Sequence, residues 1–128
     1  MSSIQVADQT FVAAPGTAVA EVLADRGRWR RWWPDLTIQV REDRGDKGIR
    51  WTVEGPVNGT MEVWLEPMLD GVIMHYFMHA EPQGLSGMSA RDLLAANRVR
   101  RIAGKKMTFE VKARLEAGRK AGVAPAAR

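Results

Sequence analysis

The chain contains no cysteine. That absence excludes a disulfide scaffold, thiolate metal sites, a cysteine nucleophile and thiol redox chemistry. No apolar run reaches the roughly 18 residues of a membrane-spanning helix. The start, Met-Ser-Ser-Ile-Gln-Val, lacks the charged head and apolar middle of a secretory signal. A cytoplasmic location with no membrane partner is the resulting expectation. Histidine is scarce (His75 and His79), and Tyr76 is the single tyrosine. A nucleophile elbow, a glycine-rich phosphate loop and metal-ligand spacing are all missing, so neither metal nor cofactor is expected. There are no internal repeats.

What remains is an ordinary globular composition. The 128 residues suit one domain, with 45% apolar and 27% charged side chains. Charge is uneven. Residues 91–120 hold ten basic and three acidic side chains, whereas the rest of the chain is slightly acidic. This reads as a solvated basic helix face rather than a nucleic-acid surface, since no nucleic-acid-binding motif accompanies it. Arg residues interleaved with tryptophan at 28–33 are the feature a single-stranded nucleic acid would use.

Partial alternation over 3–13 predicts a strand. Pro15 then opens a short amphipathic helix over about 15–26. Arg28-Trp29-Arg30-Arg31-Trp32-Trp33-Pro34 predicts one helical turn closed by the proline. Alternating runs at 36–41, 49–54 and 61–66, and an apolar run at 72–80, are separated by turn chemistry and predict an antiparallel meander. Ser89 with Asp92 three residues later marks a helix N-terminus. One long helix follows to Glu116, stopped by Gly118. Residues 107–116 also alternate as a strand does. Helix formers and the charge ladders Lys106-Glu110-Arg114 and Lys112-Glu116 favour the helix. Its polar face is expected to be Arg101, Lys105, Thr108 and Lys112, with Val99, Ile102, Ala103, Met107 and Phe109 opposite. The domain is expected to span 1–118, with 119–128 expected as a flexible basic tail.

This order is similar to the START-like, or SRPBCC, helix-grip superfamily. The segment from Val12 through Ala13-Ala14-Pro15 to Leu23-Ala24-Asp25, followed by Trp29 and Trp32-Trp33-Pro34, resembles the opening of its polyketide cyclase/dehydrase branch. The run Gly59 to Pro67 fits the family's mid-sheet hairpins. The resemblance implies an α+β fold in which a curved antiparallel sheet grips a long C-terminal helix around a cavity. It implies an apolar, polyketide- or lipid-like ligand, with cyclase or dehydrase activity the family's enzymatic role. About five strands are present here, so a hairpin is missing and the cavity is smaller or more open. The first strand would then pair with residues 72–80.

The expected ligand contacts are Trp33, Trp51, Val53, Met61, Val63, Met74, Tyr76, Met78, Ile102 and Met107. Trp29, Trp32 and Trp33 either gate a pocket mouth or cap the core. Tyr76 and His75 are the candidates for acid–base chemistry, but no acid–base pair emerges, which favours binding without catalysis. His75 and His79 stand about 13 Å apart on a strand, too far to share a metal. Glu81 is the carboxylate nearest them in sequence. Glu54, Glu62 and Glu66 read as a solvated edge. Trp64, Ile73, His75 and Phe77 leave much apolar surface on the outer face, which predicts a homodimer through Trp64, Ile73 and Phe77. With the faces of the last strand reversed, Ile73, His75 and Phe77 would instead line the pocket.

Overall fold

The computed structural model describes residues 2–117. The expected helix stop at Gly118 and the tail 119–128 lie outside the described residues. The elements are β1 (Ile4–Val12), α1 (Gly16–Leu23), α2 (Arg26–Trp32), β2 (Thr37–Asp43), β3 (Gly48–Glu54), β4 (Val57–Met68), β5 (Gly71–Pro82) and α3 (Ala90–Glu116). The strands form one curved antiparallel sheet in the order β1-β5-β4-β3-β2. β1 pairs with β5 from Ile4 opposite Ala80 to Val12 opposite Val72. The α+β class, the five strands and the long terminal helix are as the sequence predicts.

Strand alternation places the core. Trp51, Val53, Met61, Val63, Leu65, Met74, Tyr76 and Met78 all point to the inner face and are buried. Trp64, Ile73, His75 and Phe77 point outward, so the reversed-face alternative for β5 falls. The helix expected over 15–26 is shorter, and the single turn expected at 28–33 is a helix of its own, α2, that begins at Arg26. α1 ends at Leu23, and the Asp25 carboxylate accepts from the Gly27 N–H at 2.9 Å, which restarts the chain as α2. Trp29, Trp32 and Trp33 are buried core, not a gate. Trp29 and Trp33 meet Trp51 edge-on at 5.8 and 5.5 Å, and Trp33 stacks on Tyr76 at 6.4 Å. Such aromatic pairs add to the area they bury.

Residues 107–116 are helical. Ser89 accepts from the Asp92 N–H at 3.1 Å and the Asp92 carboxylate accepts from the Ser89 N–H at 3.4 Å, a complete capping box. The expected helix faces need correction. Val99, Ile102 and Phe109 are exposed, whereas Arg100, Gly104, Met107, Thr108 and Val111 are buried. The Thr108 hydroxyl donates to the Lys105 carbonyl one turn back, so its burial strands no polar group. Gly104 sets the seat of the helix. A Cβ there would stand 2.6 Å from Cε2 of Tyr76, so only glycine lets α3 settle on that ring.

Candidate functional site: the seam between β1 and α3

α3 runs alongside β1 in step with it. Asn97 Oδ1 accepts from the Gln5 N–H at 3.1 Å, and Lys105 Nζ meets the Asp8 carboxylate at 2.8 Å. Lys112 Nζ donates to the Phe11 carbonyl at 2.7 Å, and Glu116 accepts from the Ala13 N–H at 2.8 Å. A helix rises about 22 Å between positions 97 and 112, and a strand advances about 20 Å between positions 5 and 11. The two elements therefore keep pace. Alternate strand residues aim both backbone groups at the same edge. Ala7 and Gln9, in phase with Gln5 and Phe11, thus turn their N–H and C=O groups towards α3.

Between these clamps the seam opens into a groove of about 450 Å³. Val6, Ala7 and Asp8 form one wall and Tyr76 contributes to the floor. Ile102, Gly104 and Phe109 of α3 form the other wall, with Arg101, Lys105 and Lys106 beside them. The lining is mainly apolar, and the volume falls within the range of small-molecule sites.

Of the ten expected contacts, Tyr76 and Ile102 border this groove. Ile102 does so from the exposed side of α3, not from beneath it. Trp33, Trp51, Val53, Met61, Val63, Met74, Met78 and Met107 lie together in the buried core behind Tyr76 and do not line the groove. The other eight groove residues are not among the expected contacts; Val6, Asp8 and Phe109 are instructive. The first two were legible only as strand residues, and Phe109 was placed on the buried side of the helix.

The two acid–base candidates stand on opposite faces of β5. Tyr76 is buried, its hydroxyl donates to the Met61 sulfur at 3.2 Å, and burial pushes its pKa above the ordinary tyrosine value. It is a poor proton donor or acceptor there. His75 lies on the outer face and meets the Glu66 carboxylate at 2.9 Å. The tight β4–β5 hairpin makes this partnership by setting Trp64 opposite His75 and Glu66 on the diagonal. Glu81 turns instead to the Ser3 N–H at 2.9 Å, which holds its carboxyl below the usual pKa. Glu62 binds Arg44 and Arg50 and is no bare solvated charge.

Charge at the far side of α3 also departs from the expected ladder. Glu110 meets Arg31 and Arg28 of α2 rather than Lys106 and Arg114. Burial opposes its ionisation, but those guanidiniums prevail and lower its pKa. Lys112 and Glu116 do pair, at 2.9 Å. Arg100, buried, grips Asp35 through two bonds of 3.1 and 2.6 Å. That hydrogen bonding holds the Asp35 carboxyl below its ordinary value.

No family model matches the chain, and no curated protein matches it. Solved structures do. A START superfamily protein from Mycobacterium smegmatis superposes with a TM-score of 0.68 over 88% of this chain and 97% of that one, at 10% identity. The fold is the START-like helix grip. This helix grip is shortened, as the sequence resemblance implied. The Aha1 dimer from Colwellia psychrerythraea gives 0.65 over 91% of this chain and 99% of that one, at 13% identity. CalU16 from Micromonospora echinospora gives 0.59 over 84% and 75%, also at 13%. At such identities the likeness establishes the helix-grip architecture, which elsewhere serves varied functions.

Proposed function

We propose that this domain binds an apolar or aromatic small molecule, polyketide- or lipid-like in shape, in the seam between β1 and α3, without chemistry. The observation that carries the reading is the apolar groove of about 450 Å³ opening onto Tyr76. Its floor supplies contact area to a ring or chain at roughly 25 cal/mol per Å² buried. Ile102 and Phe109 are the exposed apolar contacts, and the buried Tyr76 ring, with the aromatic and methionine core behind it, gives the floor a firm backing. A helix-grip fold supports a ligand-binding role. The separation of Tyr76 from His75 argues for carriage over cyclase or dehydrase turnover. A cytoplasmic location suits the cysteine-free sequence.

Native mass spectrometry of the purified protein tests this. We expect a co-purifying small molecule in the wild type and its loss in Ile102→Trp, which fills the groove from an exposed position. A ligand-free wild type that shows no thermal shift with any apolar probe overturns it.

A second reading has its own observation. Trp64 is 42% exposed, stacks on His75 at 4.6 Å, and His75 stacks in turn on Phe77 at 6.4 Å. This outer ladder, with Ile73 beside it, suits a homodimer contact. Light scattering that gives a dimer for the wild type and a monomer for Trp64→Glu would establish it.

A further inference from the structure

We infer that the ligand of the groove is an anionic amphiphile, its charged end held at the rim by Arg101 and Lys106. This rests on the small-molecule reading above and specifies the class.

The rim is cationic beyond what the protein itself needs. Lys105 is engaged with Asp8 at 2.8 Å. Arg101 and Lys106 border the same groove, and neither makes an ion pair among the described residues. Arg100 has Asp35 and Lys112 has Glu116, whereas Arg91, Arg98 and Arg114, like Arg101 and Lys106, make no ion pair among the described residues; what distinguishes Arg101 and Lys106 is their place on the groove. The one carboxylate that could have neutralised Lys106 within the helix, Glu110, is drawn away to α2. Two uncompensated cations thus flank an apolar slot, the arrangement that favours a molecule with an apolar body and a negative end. The Ala7 backbone faces the slot and adds an N–H donor for that end. The clamps from Asn97 at Gln5 and from Lys112 at Phe11 bound the opening, so its occupant is compact and not a long added strand.

The affinity of an apolar chain is set by the walls, and discrimination among head groups by the rim. Because the rim faces solvent, its contribution weakens with salt.

The test uses decanoate, decanol and decylamine, each below its micellar range, titrated calorimetrically into the full chain. The wild type is expected to bind decanoate at least about tenfold more tightly than decanol, a difference near 1.4 kcal/mol, and decylamine most weakly. Arg101→Gln with Lys106→Gln, both exposed, should remove most of the preference for decanoate, read as the ratio of its affinity to that of decanol. The preference of the wild type should shrink as ionic strength rises. Equal binding of decanoate and decanol, or a preference unmoved by the double variant or by salt, overturns the inference and leaves the groove reading standing. Failure of all three ligands to bind the wild type removes both.

Discussion

The two edges of the sheet are treated differently. β2 lies bare, with every residue from Thr37 to Asp43 exposed except the half-buried Ile38. Its protection is local: a register shift between Val40 and Glu42, and the charges of Arg41, Glu42 and Asp43. Bulges and charges are what keep a free edge from pairing with another chain. β1 carries no such devices. Its edge is served by side chains from nearly a hundred residues away, Asn97, Lys112 and Glu116, which satisfy backbone groups at Gln5, Phe11 and Ala13. The contrast shows why α3 has polar residues on its packed side. They complete a sheet edge, and the groove occupies the interval they leave open.

Lifting α3 off β1 should have the largest effect. Gly104→Val drives a branched side chain into the Tyr76 ring and should cost about 2–3 kcal/mol in chemical denaturation. A loss below about 0.5 kcal/mol would mean that α3 does not rest on that ring. Next comes the tie from α3 to the β2 side. Asp35→Asn leaves the buried Arg100 without its counter-charge and should cost about 2 kcal/mol at neutral pH, less than for a fully buried pair because Asp35 is half exposed. The Asp35 pKa is lowered in the folded state, so its contribution is complete above the ordinary aspartate value of 3.8 and fades as pH falls below it towards the folded value. Wild type and variant should therefore converge in stability on acidification. A gap that widens in acid would contradict the pair. Smaller again is Asn97→Ala, expected to cost about 1 kcal/mol. Amide exchange at Gln5 should quicken while β3 amides stay protected. The smallest stability change belongs to β2. Arg41→Val with Glu42→Val should alter folding by under about 0.5 kcal/mol, yet the protein should associate with rising concentration in light scattering. Unchanged monodispersity would show that the bulge alone guards that edge.

Much of this architecture could be read from residues. Period-two runs located β2, β3 and β4, because burial on one side of a sheet enforces alternation, and an apolar run located β5, whose faces the sequence left open to reversal. Ser89 and Asp92 marked the start of α3 for an equally local reason. The orientation of α3 could not be read the same way. A helical wheel sorts by hydropathy, and it sent Phe109 and Ile102 inward and Thr108 outward. The β1 edge, unseen in a local window, calls for donors and acceptors instead. Glu110 shows the same failure: i,i+4 spacing pointed to Lys106, but two guanidiniums from α2 lie closer. The His75–Glu66 contact was recoverable, since a tight turn at Leu69-Asp70 fixes which residues of the hairpin face each other. The groove belongs to the unreadable part, being a gap between elements at opposite ends of the chain.

The clamps on β1 join residues 92 to 103 positions apart. During synthesis, the first strand leaves the ribosome long before its covering helix exists. Closing so large a loop comes late and costs chain entropy. A nascent chain therefore displays an unguarded strand edge until α3 has emerged.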